Sequence, residues 1–448
     1  MVLGGLAIWA SPVRHGLMLP GPAGRQEGQL AMRQRHGGPG GPEPGPAVES
    51  RAAWATAVAA TAILAVSFGA PQLLVVALVP IAEDLGAVRA VPSLAASAAY
   101  FGAGLGGIGM GWIAGRTSAR LTSLLGGAMI AAGCALAAGG GAWQLVLGYG
   151  LLVGLVGNGA LYAPLMTHVS HWFDRRRGTA IALVSSGQYV AGALWPSLFE
   201  RAVASFGWQR TMLGYGLLAA AVILPIAAWL RPRPALPAPG SAAAGPGPGG
   251  RVLGLPANAA LLLLAVASFL CCIPMAMPAA HLVAFCGDLG IGARQGALML
   301  SLLLAMAFLA RQAWGWVADR IGGLNTALAG NVLQAIGMVA FLATQDEAGL
   351  FLVAGLFGFG FSGIVPAYVL AVRELFPAAE AAWRVPCLLF LSLSGMAAGA
   401  WLAGFLYDGF GSYAVAWQVG IAANLAALAI LAGLALRQGD GGRALRPA

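Results

Sequence analysis

Long apolar segments follow one another along most of the chain, separated by short loops that hold most of the charged residues. An α-helix needs about 20 apolar residues to cross the hydrocarbon core of a bilayer. We therefore predict an all-α integral membrane protein with twelve transmembrane helices. The predicted spans, numbered 1 to 12 in chain order, are residues 54–80, 91–114, 121–140, 143–170, 178–203, 209–230, 257–286, 294–317, 325–344, 348–372, 383–406 and 413–436.

The chain also divides into two similar halves. Residues 231–256 are rich in Pro, Gly and Ala and separate six spans from six, as an inter-domain linker does. The sequence GWIAGR at 111–116 recurs as GWVADR at 315–320, and GLVGNG at 154–159 recurs as GLFGFG at 355–360, with offsets of 204 and 201 residues. Two repeats at nearly one offset predict a duplicated six-helix unit, and hence two pseudo-symmetric bundles at residues 51–230 and 257–436.

Arginines in alternate loops predict the orientation in the membrane. Residues 1–50, rich in Gly, Pro and Arg, predict a disordered tail, and residues 437–448 a second tail. Arginine-rich loops stay in the cytoplasm, so both tails are predicted to be cytoplasmic, in an inner membrane. The arginines on the predicted cytoplasmic side are Arg116, Arg120, Arg175, Arg176, Arg177, Arg231, Arg233, Arg251, Arg320, Arg373, Arg384, Arg437, Arg443 and Arg446, against Arg89, Arg201, Arg210 and Arg294 on the other.

Composition agrees with a lipid environment and excludes several kinds of partner. Hydrophobic residues make up 59% of the chain and charged residues 9%, whereas a soluble domain carries about a quarter charged residues. The net charge is +9, but the bases lie in separate loops, so no nucleic-acid partner is expected. Every base is arginine, which excludes a GxxxxGK phosphate loop and ATP-driven transport. Since no metal-ligand spacing or catalytic cluster appears, we expect no cofactor, metal or enzymatic activity. Nothing in the sequence suggests obligatory oligomerisation, so we expect a monomer.

The motif GWVADRIGG at residues 315–323 resembles the loop signature that the major facilitator superfamily carries between helices 2 and 3 and repeats between helices 8 and 9. The resemblance extends over essentially the whole membrane part. It implies the major facilitator fold, with a central cavity that opens alternately to either side, and a cytoplasmic latch between the halves. In the first copy Gly115 stands in place of the aspartate, and an ordinary charged turn is the alternative. The predicted latch residues are Gly111, Arg116, Gly315, Asp319 and Arg320.

A second motif narrows the resemblance. HWFDRRRGTAIALVSSG at residues 171–187 is similar to the start of helix 5 in monocarboxylate porters: an aromatic pair, a basic cluster and a run of small residues. Arg311 in span 8 lies where these porters and the related oxalate–formate exchangers carry a substrate-binding arginine. A guanidinium at membrane depth is costly unless it faces a wet cavity or a partner, and its planar fork fits a carboxylate. The alternative is that Arg311 extends to the cytoplasmic surface.

Other polar residues in the spans are secondary candidates for the substrate site. Gln72 follows Pro71 in span 1, where animal porters have a lysine. His281 in span 7 could titrate or donate to a carboxylate, or else be satisfied by a neighbouring carbonyl group. The remaining candidates, for which helix-to-helix hydrogen bonding is the alternative, are Asn158, Tyr162, Gln188 and Tyr368.

These features together predict secondary active transport of a small organic anion. One fixed cation favours a monoanion over a dianion, so a monocarboxylate is the expected substrate, moved by proton symport or by exchange. Efflux of a lipophilic drug or metabolite is one alternative, although it would be expected to use a buried acid, and no Asp or Glu lies near the middle of a span. A membrane sensor that transports nothing is the other.

Overall fold

Helices occupy almost all of the chain that the structure describes. The computed structural model describes residues 49–173, 176–231 and 251–444. Most of the predicted tails and of the linker, together with Arg175 in the loop before span 5, lie outside these ranges. Each of the twelve predicted segments is helical, which confirms the all-α prediction.

In the first half several spans are interrupted. Span 1 consists of Arg51–Ser67, Gly69–Val76 and Leu78–Asp84, and span 5 of Arg177–Ser185 and Gly187–Phe206. Span 4 passes from Ala142–Leu147 through a π-helical stretch, Gly148–Asn158, to Gly159–Ser170. The uninterrupted helices are Ala90–Arg116 for span 2, Ala119–Ala137 for span 3 and Trp208–Trp229 for span 6.

The second half begins with a short antiparallel hairpin, Arg251–Val252 paired with Leu255–Pro256. Spans 8 and 9 form one run, Ala293–Ala343, that turns at Gly322, where φ is +77°. Sequence reasoning predicted a break over residues 318–324, but glycine tolerates this φ and lets the helix continue after a single residue. The other helices are Ala257–Asp288 for span 7, Glu347–Phe361 and Ile364–Leu375 for span 10, Ala378–Phe410 for span 11 and Ala414–Ala444 for span 12.

Length and composition support a membrane location. Within the described residues, ten helices are long and apolar enough to cross a bilayer. One of them carries both span 8 and span 9, because the turn at Gly322 divides it. Span 5, which contains Glu200 and Arg201, is not among the ten. The chain is thus a multi-pass membrane protein whose helices fit the predicted count of twelve.

Equivalent glycines pack in the same way in the two halves. A Cβ atom at Gly133 would lie 2.7 Å from Val153, and one at Gly337 would lie 2.8 Å from Phe357. Both members of the second pair follow those of the first by 204 residues. Small residues let membrane helices approach closely, so the two six-helix bundles share one packing scheme. The same offset relates the contact of Gly154 with Ala99 to that of Gly358 with Leu303.

The glycine contacts correct the alignment of the second repeated motif. The offset of 201 residues between GLVGNG and GLFGFG pairs Gly154 with Gly355, whereas the packing pairs Gly154 with Gly358. Each half has its own hydrophobic core, one within residues 53–230 and the other mainly within residues 260–434. The exact domain boundaries predicted from the sequence stay predictions.

The halves meet closely at one end and separate at the other. At Gly104 of span 2, a Cβ atom would lie 3.3 Å from Leu393 of span 11. Gly111 and Gly115 lie seven and eleven residues further along span 2, on the same helical face. A Cβ atom at either would meet nothing within 4 Å, nor would one at Gly315 of span 8. We call the open end, with the loops after spans 2 and 8, the Arg320 end, and the opposite end the Arg89 end.

Candidate functional site

Arg311 lies between the two halves, part-way along span 8. Its Nη1 atom donates to the hydroxyl of Ser185 in span 5, at 3.1 Å, and its Nη2 atom donates to the carbonyl of Ser362 in span 10, at 3.4 Å. The guanidinium carbon is 4.7 Å from the ring centroid of Tyr189, a cation–π contact. The side chain therefore crosses the plane between the halves.

Span 10 supplies a free carbonyl because of its proline. In an α-helix the N–H of each residue bonds to the carbonyl four residues earlier, and Pro366 has no N–H to give to Ser362. The helix is interrupted at Ser362 and Gly363, and the indole of Trp314 donates to the carbonyl of Phe359 at 2.7 Å. Trp314 lies one turn after Arg311 on span 8, so this contact holds the guanidinium beside the freed carbonyl.

Span 5 supplies the partners from the first half. Ser185 and Tyr189 are four residues apart and share one face, although the helix is interrupted between them at Ser186. The Ser185 hydroxyl donates to the carbonyl of Ala182 at 3.0 Å and so keeps its lone pairs for Arg311. Sequence reasoning treated this stretch only as small residues for packing and missed both partners. The available signal was a hydroxyl and a phenol one turn apart.

Within the described residues Arg311 has no acidic partner. Among the described residues, the ion pairs are Arg89 with Asp288 and Arg384 with Glu380. The Nε atom of Arg311 is buried without a hydrogen-bond partner. A cation whose described contacts are all neutral retains its charge, and the group that complements it chemically is an anion.

Of the other predicted site residues, Tyr162 is the one in contact with Arg311. Its hydroxyl interacts with the guanidinium, and its ring lies edge-on to Phe68 at 5.8 Å. Tyr368, in contrast, is fully buried in the second half near Cys271 and Asn331, and its hydroxyl has no hydrogen-bond partner among the described residues. Tyr162 therefore joins the arginine, and Tyr368 belongs to the core of the second bundle.

Three further candidates are near the interior without a contact to Arg311 among the described residues. Asn158 is 3% exposed, and its Oδ1 atom has no partner. It ends the π-helical stretch of span 4. The Oε1 atom of Gln72 is likewise buried and unpaired. Gln188 is partly buried and adjoins Tyr189. Their part in a substrate site stays a prediction.

His281 lies near the Arg89 end, where both ring nitrogens are engaged. Nε2 is 2.8 Å from the carbonyl of Ala400, and Nδ1 is 2.9 Å from the hydroxyl of Tyr413. A carbonyl only accepts, so Nε2 carries the proton and Nδ1 accepts from Tyr413. The contact with Ala400 matches the alternative in which a neighbouring carbonyl satisfies this histidine.

The predicted latch residues do not join across the halves. The guanidinium carbon of Arg116 stacks 3.6 Å from the Trp112 ring, and that of Arg320 stacks 3.2 Å from the Trp316 ring. Asp319 is exposed, and within the described residues it forms no ion pair. The Arg320 end is open around Gly111 and Gly315, so the latch stays a prediction for a conformation in which that end is closed.

Sequence reasoning missed a cluster at the closed end. Arg89 binds Asp288 through two hydrogen bonds of 2.6 Å and donates to the Tyr413 hydroxyl at 3.1 Å. Burial by itself lowers the pKa of Arg89, but these contacts more than offset it and raise the pKa above its usual value. We call Arg89, Asp288, Tyr407, Asp408 and Tyr413 the Arg89 cluster. The sequence signal was an arginine and two acids near helix ends on one predicted side.

Known proteins resemble the chain over most of its membrane part. A family model described as Major Facilitator Superfamily matches residues 57–277. The chain is 24% identical to the MFS transporter asaE of Aspergillus flavus, over 60% of this chain and 60% of that relative's length. It is 25% identical to monocarboxylate transporter 13 of Rattus norvegicus, over 78% of this chain and 80% of the relative. A solved bacterial homologue of the human lysosomal transporter Spinster, inward-facing and occupied, has a TM-score of 0.66 at 15% identity, covering 86% of this chain and 96% of that one.

Two pseudo-symmetric helical bundles, with a cation at the plane between them, define a multi-pass membrane transporter of the major facilitator fold. Together with the matching family model and relatives, this architecture confirms what the loop signature predicted. The chain is therefore similar to the major facilitator superfamily, in sequence over residues 57–277 and in fold over most of its length.

Proposed function

We propose that the protein is a secondary active transporter of a small organic monoanion, a monocarboxylate, and that it works by alternating access. The observation that carries this proposal is Arg311, a cation between the halves whose partners are a hydroxyl, a carbonyl and aromatic rings. No acid among the described residues neutralises it. A carboxylate is the natural counter-ion for such a group.

The surroundings of Arg311 suit a carboxylate in more than charge. The planar guanidinium can hold both carboxylate oxygens through two parallel N–H···O bonds. The Tyr162 hydroxyl interacts with it and can donate to the same anion, whereas the Ser185 hydroxyl, which donates to Ala182, accepts from the guanidinium and holds it in place. Ser185 belongs to span 5, Tyr162 to span 4 and Arg311 to span 8, so a bound anion would be held by both halves, as a transported substrate must be.

The charge count favours a monoanion. Two other arginines of the described chain are not exposed, Arg89 and Arg384, and each is paired with an acid. A dianion at Arg311 would retain one uncompensated charge at membrane depth. The name of the rat relative, monocarboxylate transporter 13, agrees with this substrate class.

We further propose that the Arg320 end faces the cytoplasm of an inner membrane. The loops at this end carry Arg116, Arg120, Arg320 and Arg373, and the positive-inside rule assigns such loops to the cytoplasm. The described conformation is then open inwards. Movement of the anion is coupled either to a proton or to a second anion by exchange.

Uptake into proteoliposomes tests the proposal. Labelled lactate, pyruvate, glycolate, formate and oxalate are offered with and without an inward proton gradient, to the wild type, to Arg311→Gln and to Arg294→Gln. Arg294 is an exposed arginine at the start of the same span and serves as the matched control. We expect a monocarboxylate to enter with the wild type and the control, and uptake to fall at least tenfold in Arg311→Gln.

The results separate the alternatives. Accumulation that follows the gradient identifies proton symport, and uptake that requires an internal anion identifies exchange. If no acid enters, or if Arg311→Gln transports as well as the control, the monoanion proposal is wrong. Export of lipophilic compounds and transport-free sensing are then the functions to test.

A further inference from the structure

The Arg89 cluster joins the two halves, because every contact that Arg89 makes within it crosses between them. Arg89 precedes span 2 in the first half, whereas Asp288 ends span 7 in the second. Their bidentate ion pair has side chains that are 14% and 27% exposed. The guanidinium carbon also lies 3.9 Å from the ring centroid of Tyr407, and the Nη1 atom donates to the Tyr413 hydroxyl. The ion pair, the stacking and the charge-assisted hydrogen bond together engage one arginine with three residues of the other half.

Asp408 adds a second contact of a different kind. It accepts from the backbone N–H of Arg89 at 3.0 Å and from that of Ala90 at 2.7 Å. The first N–H groups of a helix have no partner within the helix, and a carboxylate there also interacts favourably with the helix dipole. Arg89 offers no side-chain cap to span 2. The cap of span 2 therefore comes from span 11, across the boundary between the halves.

The contacts continue inwards from this cluster. Tyr413 accepts from Arg89 and donates to His281, which in turn donates to the carbonyl of Ala400. At Gly404 of span 11, a Cβ atom would lie 2.5 Å from the Ser93 hydroxyl oxygen of span 2. A side chain at that position would push the two spans apart, so close packing underlies the polar contacts.

We propose that the Arg89 cluster is the lock that holds the Arg89 end shut, and that its contacts set the balance between the two conformations of the transporter. Rocking of one half against the other separates Arg89 from Asp288 and span 2 from Asp408, while the open Arg320 end closes. His281 belongs to this lock. Tyr413 and Ala400, which hold its ring, belong to the same half as His281 and stay in contact with it. Its contact across the boundary is with the Ser93 hydroxyl of span 2, 3.4 Å from Nε2, and this contact is lost when the Arg89 end opens.

The ion pair of Arg89 and Asp288 is partly buried, so its contribution lies between those of exposed and of fully buried ion pairs. Its loss should raise the ratio of molecules with an open Arg89 end to molecules with a closed one roughly five- to tenfold. Asp288→Asn removes the charge and leaves Arg89 without its bidentate partner. Asp288→Glu keeps the carboxylate and should have a smaller effect. Asp408→Asn weakens the helix cap and should act in the same direction through a different contact.

Distances between spin labels measure this balance without any substrate. Labels at Gln144→Cys and Ala348→Cys, exposed positions in the first turns of spans 4 and 10, report on the Arg89 end. Labels at Thr117→Cys and Asn325→Cys, also exposed, report on the Arg320 end. The background carries Cys387→Ser, because the other four cysteines are buried.

Asp84→Asn is the matched control. Asp84 lies at the same end, but its partners, Trp208 and Gln209, belong to its own half. We expect Asp288→Asn and Arg89→Gln to add a longer distance at the Arg89 end and a shorter one at the Arg320 end, and the control to add neither. If both distributions stay those of the wild type, or if Asp84→Asn shifts them equally, the lock proposal is overturned. Since no substrate is present, this result is independent of the transport assay.

Discussion

Replacement of Arg311 by glutamine should make the empty transporter more stable. On insertion scales an arginine at the centre of a membrane helix costs about 2.5–3.5 kcal/mol. Its two hydrogen bonds, to Ser185 and to the carbonyl of Ser362, each offset about 1 kcal/mol. About 1 kcal/mol of destabilisation is left over, so Arg311→Gln should raise the midpoint of thermal unfolding by roughly 2 °C.

A bound substrate should reverse the order of the two unfolding temperatures, so that the wild type unfolds above Arg311→Gln. An anion that binds the folded state only, at 100 times its dissociation constant, stabilises that state by about 2.7 kcal/mol. We therefore expect a transported monocarboxylate to raise the unfolding temperature of the wild type and of Arg294→Gln, and to have no effect on Arg311→Gln. The effect should be absent with a neutral analogue of the same size.

Thermal unfolding of the purified protein in detergent, followed by intrinsic tryptophan fluorescence, measures both shifts. The reasoning would be refuted by an Arg311→Gln protein that unfolds below the wild type and still responds to the monocarboxylate. In that case the guanidinium is a structural link between spans 5, 8 and 10, and the anion binds elsewhere.

Three further changes test the site and the packing around it. Ser185→Ala removes the hydroxyl that accepts from Arg311, so the KM for uptake should rise about five- to tenfold. Ser186→Ala, whose hydroxyl bonds within its own helix, should leave KM unchanged. Gly358→Ala places a Cβ atom against a span 8 carbonyl oxygen and should destabilise the protein by about 1–3 kcal/mol in thermal unfolding. A Cβ atom at Gly433 would meet nothing within 4 Å, so Gly433→Ala should not destabilise it. Pro366→Ala restores the helical N–H that competes for the Ser362 carbonyl. The KM for uptake should rise several-fold, with an unchanged amount of folded protein. An unaltered KM would show that this carbonyl does not position Arg311.

The apolar segments alone predicted where the helices lie, and the structure fits the predicted count of twelve. A span must be about 20 apolar residues long because the hydrocarbon core has a fixed thickness, and this requirement is local to each segment. The repeat at 111–116 and 315–320 likewise identified the offset of 204 residues that the glycine packing follows. The second repeat was aligned one turn away, because short glycine motifs match at several registers and only the facing residues, such as Val153 and Phe357, distinguish them.

The site was predictable in part. Arg311 stood out because a charged residue inside an apolar segment is rare and needs a reason. Its partners could not be read from the sequence, since Ser185 and Ser362 are 126 and 51 residues away from it. Pro366 signalled a free carbonyl, but which donor would reach that carbonyl depended on how span 8 packs against span 10.

The contacts between residues near the Arg89 end could not be predicted from the sequence. The sequence determined that His281 lies within span 7 and that Arg89, Asp288 and Asp408 lie near helix ends on one side. It could not bring them together, because Arg89 is separated from Asp288 by 199 residues and from Asp408 by 319. Hydropathy specifies each helix through its contact with lipid, whereas the meeting of two halves depends on side chains that pack only after both bundles have formed. That tertiary packing placed Arg311 between the halves and closed the Arg89 end around its ion pair.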